Sequence, residues 1–357
     1  MNKTLNFAVG PVMMDDETLA VSAQQIPYFR TDEFSAVVKK CESNLKTLFG
    51  AEPDARVVLM TGSGTASMEA AVMNVLTDKD RAIVINGGSF GARFCEICSV
   101  HGIDYTAVEC EAGKTLTAEQ LGAIDGSKYT AFIVNLCETS TGILYDVDLI
   151  GAFCKKHNLL LIVDAVSAFL CDKFGMKDNG IDVVITGAQK ALALAPGLSV
   201  MCFGNRALQR VQANKVKSMY FDLKSYLKDG ERGQTPFTPA VGIILQLLEK
   251  TDRLVKAGGI DKALEKAHNN AEYFRTKLSG LPVELFADKP SNAVTALTVR
   301  NNINAYDVFL KLKNEYDIFI CPNGGELKNK VFRVGHMGHV TFADYDRLLS
   351  ALKEVLA

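Results

Sequence analysis

Residues 31–49, TDEFSAVVKKCESNLKTLF, carry Phe34, Val37, Val38, Cys41, Leu45 and Leu48 at helical spacing, which predicts an amphipathic helix with one buried stripe. Thr31 can cap it, Asp32 and Glu33 suit its first turn, and Gly50 ends it. The period then changes. RVVLMT reads as a strand, GSGT as a glycine turn and TASMEAAVMNVL as a helix. RAIVI, YTAFIVN, LLLIVD and DVVITG repeat the theme as short, nearly continuous apolar runs, with helical segments such as DVDLIGAFCKKH between them. Runs that are apolar on both faces and alternate with helices predict an α/β fold, with a mainly parallel sheet sandwiched by helices. LSVMCFG, directly after APG, predicts a further strand nearby, with an antiparallel setting left open. From about residue 251 the texture shifts. A long polar-striped helix, GIDKALEKAHNNAEYFRTKL, precedes strand candidates AVTALTVR and VFRVG and helices at about 304–316 and 341–356. The expected organisation is an N-terminal arm (1–15), a large domain (16–250) and a smaller C-terminal α+β domain (251–357).

Composition narrows the classes of function. The 357 residues are 48% hydrophobic and 22% charged, an ordinary globular balance too long for one small core. A net charge of -2 without a basic block gives no support to a nucleic-acid or polybasic membrane partner. The first residues, MNKTLNFAVGPVMMDDE, hold no apolar stretch of signal-peptide length, so no leader and no membrane span are expected. Nine cysteines scattered along a long chain suit a reducing, cytoplasmic setting. Cys95 and Cys98 form a CxxC with no second pair or His pair at zinc spacing, so helix packing explains them and no metal is expected.

The polar features cluster where the strands end. In open parallel sheets ligands gather at the carboxyl ends of strands. GSGT offers backbone amides at a helix start, suited to a phosphate, although it matches neither the P-loop nor GxGxxG and a plain tight turn also accounts for it. Asp164 closes LLLIVD; it is either a structural carboxylate or the partner of a cationic ring nitrogen. Lys190, in ITGAQKALALAPG, has no carboxylate in its stretch. A lysine buried there loses proton affinity and becomes a nucleophile toward carbonyls, whereas a snorkelling surface lysine would need apolar cover that Gly187, Ala188 and Ala191 scarcely provide. Arg333, inside the apolar strand VFRVG, suits bidentate capture of a carboxylate or an internal ion pair. Together these features describe one ligand with a phosphate, a protonated ring nitrogen and an aldehyde that reacts with lysine. That ligand is pyridoxal phosphate.

The chain resembles the class V aminotransferases of pyridoxal phosphate fold type I, in the branch holding alanine–glyoxylate, serine–pyruvate and 2-aminoethylphosphonate–pyruvate transaminases. The likeness runs through GPV (10–12), FRTDEF (29–34), TGSGTASMEA (61–70), NGGSFGAR (86–93), ETSTG (138–142), DAVSA (164–168), GAQKAL (187–192), APG (195–197), TPFTP (235–239) and FRVGHMG (332–338). It implies a seven-stranded large-domain sheet and roles position by position. Lys190 would hold the cofactor as a Schiff base and carry the proton transfer. Asp164 would keep the pyridine nitrogen protonated. Phe90 would stack on the ring and Val166 would pack its other face. Ser63, Gly64 and Thr65 would hold the phosphate with help from Gln189, Thr139 would bond near the ring hydroxyl, and Arg333 would bind the substrate carboxylate. A threonine from a neighbouring subunit, Thr235 or Thr238, would reach the phosphate, which implies a homodimer with shared active sites. Ala188, Phe29 and the APG turn depart from the commoner family residues (Ser, His and a proline pair), leaving the lysine chemistry intact and the donor open.

The implied activity is transfer of an amino group from a small amino acid such as alanine or serine to pyruvate or glyoxylate. A 2-aminoethylphosphonate–pyruvate transaminase is the alternative; it would need extra positive charge, and Arg30 and Arg93 are expected to be structural. A cysteine desulfurase would need a mobile loop cysteine, for which Cys321 in CPNGGEL is the candidate. A non-enzymatic phosphate-binding α/β module would use GSGT alone.

Overall fold

The computed structural model describes residues 4–357. The chain opens with β1 (Leu5–Phe7), α1 (Asp16–Ser22) and α2 (Asp32–Phe49). Thr31 Oγ1 accepts a hydrogen bond from Phe34 N at 3.2 Å, and Gly50 closes α2 at φ 59°, a left-handed conformation that glycine adopts readily. An alternating run follows: β2 (Arg56–Thr61), α3 (Gly64–Val75), β3 (Arg81–Asn86), α4 (Ser89–Val100), β4 (Asp104–Glu109), α5 (Ala118–Gly122) and β5 (Ala131–Asn135). The short hairpin strands β6 (Cys137–Glu138) and β7 (Ile143–Leu144) lead to α6 (Val147–His157), β8 (Leu160–Asp164), α7 (Met176–Asn179), β9 (Val183–Gly187) and β10 (Leu198–Phe203).

Seven of these strands form one sheet in the order β2-β10-β9-β8-β5-β3-β4. β10 runs antiparallel to both β2 and β9, and the other neighbours are parallel. Every residue of β5, β8, β9 and β10 is buried, which is why their sequences read as unbroken apolar runs. Successive side chains go to opposite sides. Ile83, Ile85, Phe132 and Val134 join α2 and α6 in one apolar layer, while Ala82, Val84, Ala131 and Ile133 join α3 and α4 in the other. β4 is an edge strand with no fully buried residue, so its sequence, DYTAVE, lacks the apolar run that marks the central strands.

The remainder is α8 (Asn205–Ala213), α9 (Leu223–Glu231), α10 (Val241–Lys256), α11 (Gly259–Thr276), β11 (Val283–Leu285), β12 (Val294–Val299), α12 (Ala305–Tyr316), β13 (Ile318–Pro322), β14 (Val331–Gly335) and α13 (Phe342–Val355). A second sheet has the order β1-β13-β14-β12-β11, with β1 parallel to β13. Residues at the start of the chain therefore complete a sheet built by its last third, and the arm expected over 1–15 contains a strand. α10 runs unbroken through residue 250. We accordingly propose that the division between the two units lies at Ala257–Gly258, where α10 gives way to α11, rather than inside a helix.

Candidate active site

Lys190 lies three residues past β9, on a turn that faces a cavity of about 190 Å³. It is only 8% exposed. Burial holds its ammonium below the usual lysine range, Arg333 adds to the effect, and Cys137, Cys321 and Asp164 oppose it. No direct hydrogen bond to the amine is among these influences. The side chain runs against Gly10. A Cβ built at Gly10 would sit 2.8 Å from Lys190 Cδ and 3.3 Å from Nζ, and Gly10 has φ +135°. The arm around it is a strap. Val12 N donates to Gln189 O at 3.2 Å, and His339 N donates to Met13 O at 2.9 Å. Gly335 lets the Ala8 carbonyl approach to 2.6 Å from where a Cβ would be. The GPV and FRVGHMG segments are thus two sides of one contact that passes over the lysine.

The cavity is lined by Ser63, Gly64, Thr65, Phe90, Thr139, Asp164, Val166, Gln189 and Lys190, and also by Gly10, Met68, Arg93, Cys137 and Ser167. Nine residues singled out in the sequence therefore meet in one place. The start of α3 forms part of this lining. Ser63 is its extended N-cap residue, makes no side-chain capping bond, and no acidic residue follows in the first turn. The first amides of a twelve-residue helix are left for an anion. Gly64 packs closely on Val166, since a Cβ there would meet Val166 Cγ2 at 3.1 Å. Arg93, expected to be merely structural, instead lines the cavity. Its Nη1 donates to Thr65 Oγ1 at 3.1 Å, and its guanidinium lies 4.8 Å from the Phe90 ring centre.

Asp164, in the same lining, is buried at the close of β8. Its Oδ1 accepts from Val166 N at 2.8 Å and its Oδ2 from Asn135 Nδ2 at 2.7 Å. Burial pushes its carboxyl up to about 6, an effect that those hydrogen bonds and Lys190 only partly offset. Thr139 and Ser167 share a hydroxyl–hydroxyl bond of 2.6 Å beside it.

Glu138 opens the ETSTG motif, but the motif alone assigns it no role of its own. It is 1% exposed, and its Oε2 accepts from Phe90 N and Gly91 N, each at 3.0 Å, while Ser140 N and Oγ donate to Oε1. It caps α4 from β6 and so seats Phe90. The available signal was the glycine pair before Ser89: a Cβ at Gly88 would lie 2.6 Å from Glu138 Cγ.

Arg333 lies on β14 outside the cavity lining, and it is no ion pair. Nη1 donates to Thr139 O at 3.0 Å and Nη2 to Pro322 O at 2.6 Å, while Nε has no partner among the described residues. Its contact with Thr139 joins it to the cavity wall. Four other candidates lie elsewhere. Arg30 donates to Thr235 O at 2.6 Å and Gln234 Oε1 at 3.1 Å, a structural role as expected. Thr235 is buried with its hydroxyl donated to Phe237 O at 2.7 Å, and Thr238 is exposed; neither lines the cavity in this chain. Cys321 sits within β13 rather than on a loop, bonded weakly to Pro322 O at 3.7 Å. Cys95 and Cys98 pack on α4, and no cluster of three or more metal-ligating side chains occurs among the described residues.

The side chains present fit pyridoxal phosphate. Asp164 is a buried carboxylate without a bonded cation, and a ring N–H⁺ is the group that would bring its proton affinity down. The unfilled start of α3, backed by Arg93, suits a phosphate. The uncharged-capable amine lines the same cavity as these two features.

A sequence model of the family described as Aminotransferase class-V matches residues 20–336. The 42 kDa subunit of a soluble hydrogenase from Anabaena cylindrica is 31% identical over 99% of this chain and 94% of its own length. The L-aspartate–glyoxylate aminotransferase of Paracoccus denitrificans is 30% identical over 81% of this chain and 75% of its own. Among solved structures, the alanine–glyoxylate aminotransferase of Nostoc sp. superposes with a TM-score of 0.93 at 25% identity, covering 100% of this chain and 96% of that one.

Proposed function

The chain belongs to the class-V aminotransferases, and from that we propose that it moves an amino group from a small amino acid of the alanine or serine type to glyoxylate or pyruvate. It is a pyridoxal phosphate-dependent transaminase. The observation that carries the substrate reading is Arg333, a guanidinium beside the cavity wall whose Nε has no partner among the described residues. Arg333 keeps Nε and the remaining hydrogens of Nη1 and Nη2 for a carboxylate, and Arg93 lies beside Thr65 at the start of α3, where its remaining hydrogens suit the cofactor phosphate. One carboxylate without a second anionic group fits this arrangement better than a phosphonate does. The glyoxylate aminotransferases among the relatives support that acceptor. Cys321, held on a strand, favours transamination over desulfuration.

When bound, the cofactor supplies an aldehyde that condenses with amines and a ring that withdraws electrons from the substrate Cα. The chain supplies the rest. Lys190 Nζ, kept dry and poor in proton affinity, is the amine that holds the aldehyde and the base that takes the proton from Cα and returns it. Arg333 fixes the carboxylate and with it the direction of the Cα–H bond. Asp164 holds positive charge at the ring nitrogen. The start of α3, Thr65 and Arg93 would hold the phosphate, and Phe90 and Val166 would pack on the ring. Ser63, Gly64, Gln189 and Thr139 complete the lining.

We also propose a homodimer, with Thr238 rather than Thr235 reaching the partner's phosphate, because Thr235 donates its hydroxyl to Phe237 O while Thr238 is exposed. A cytoplasmic setting is supported by nine unpaired cysteines. No described helix is long and apolar enough to cross a membrane.

A panel of amino donors, read by conversion of bound cofactor to its amine form, tests the substrate reading. Alanine or serine should react fastest, and Lys190→Ala should abolish turnover with the fold intact. Faster reaction with 2-aminoethylphosphonate, or a few per cent of activity left in the lysine variant, would overturn it.

A further inference from the structure

Arg333 is not the only buried donor beside β13 and β14 that lacks an acceptor. Asn323 is 9% exposed, and its Nδ2 has no hydrogen-bond partner among the described residues. Register shows how the two are related. Cys321 pairs with Arg333, and Pro322 with Phe332, across β13 and β14. Ile320, Phe332 and Val334 are fully buried in the layer beneath α12 and α13, so Cys321 and Arg333 point the other way. Cys321 packs accordingly against the apolar layer of the large sheet. Asn323 is the first residue past the end of β13, two positions beyond Cys321, and its side-chain nitrogen is buried. The residue between them, Pro322, provides the carbonyl that accepts from Arg333 Nη2 at 2.6 Å, which ties Asn323 to the guanidinium through one peptide unit.

Buried donors are nearly always satisfied, and two orphans joined in this way beside a catalytic cavity mark a place where a ligand brings the acceptors. A carboxylate has lone pairs beyond the two that an arginine fork uses. We propose that Asn323 is a substrate-binding residue whose side-chain amide donates to the carboxylate held by Arg333. The proposal rests on the transaminase reading above and adds a third donor to it.

The test uses the cofactor-loaded enzyme and propionate, a carboxylate with neither an amino nor an oxo group. Asn323→Ala should weaken propionate binding about tenfold, as expected for loss of one hydrogen bond to a charged group. KM for both the amino donor and the oxo acceptor should rise in parallel, with kcat within about twofold, since a bond kept through the reaction is uniform binding. Asn323→Asp, which keeps the shape and adds a like charge, should weaken propionate further. Cofactor affinity and melting temperature should not change. Propionate affinity within about twofold of wild type in both variants would overturn the proposal. So would losses of cofactor affinity or melting temperature in step with KM. Arg333→Met separates the two readings. If it loses propionate while the Asn323 variants do not, only the role of Asn323 fails; if it does not, the carboxylate subsite itself is wrong.

Discussion

Gly10→Ala probes how the N-terminal strap seats the reactive amine. Two effects follow from the geometry. At φ +135° an alanine is strained by on the order of 1–3 kcal/mol, which is a stability term. Its methyl would also lie 2.8 Å from Lys190 Cδ and 3.0 Å from Cε. Ordinary carbon contacts are about 3.5–4.0 Å, so the lysine stem must retreat by roughly 0.7 Å or more. A free stem could swing aside at little cost, but one whose amine is engaged cannot, and the shift reaches the atom that must meet the substrate Cα. Misplacement of about 1 Å costs on the order of a hundredfold in rate. Single-turnover rates with a good amino donor should therefore fall about fifty- to a hundredfold, and denaturant melts should show the stability loss separately. A rate within about threefold of wild type beside the expected loss of stability would refute the idea that Gly10 positions the lysine.

Asp164→Asn should change how the cofactor-free protein responds to pH. The carboxyl titrates near 6 in the fold against an ordinary 3.8, so the folded state binds the extra proton and stability from this group is greatest below about pH 4, declining as pH rises through 6. The span is worth about 3 kcal/mol, and urea melts between pH 4 and 7 should show that much less decline in the variant; identical slopes would contradict the assignment. Asp172, also pushed up to about 6 by burial, should keep its own contribution in both proteins. Glu138→Gln replaces a carboxylate that takes two backbone N–H groups of α4, so cofactor should bind about tenfold more weakly in an absorbance titration. In a Phe90→Leu background the same change should do little if Glu138 acts through Phe90, and undiminished loss there would count against it. A mixed dimer of Thr238→Ala and Lys190→Ala subunits should retain one unimpaired site, since the intact lysine would face the partner's intact threonine; a site as weak as that of the Thr238→Ala homodimer would show that the threonine serves its own subunit.

Local order was legible in the residues. Strand, turn and helix alternate from Arg56 to Phe203 much as the apolar periods require, because a strand buried on both faces has no alternative to a continuous apolar run. The site residues could be grouped for a related reason. In a parallel sheet every strand delivers its carboxyl end to the same edge, so Thr65, Phe90, Thr139, Asp164 and Lys190 converge although up to 125 positions separate them. Where pattern is weak, reading failed. β4 is an exposed edge, and β1 has three residues whose partner lies more than 300 positions away.

What only the tertiary structure decided is which groups are left without partners. Nothing in the order of residues says that Glu138 is taken up by α4, that Thr235 bonds a neighbouring carbonyl and Thr238 does not, that Arg93 turns toward Thr65 at the start of α3, or that Arg333 and Asn323 each keep an unused donor. A residue type states which bonds a side chain is able to make. Whether those bonds are already taken depends on atoms brought close by packing between segments distant in the chain, and the reactivity of this site consists of the bonds that remain unmade.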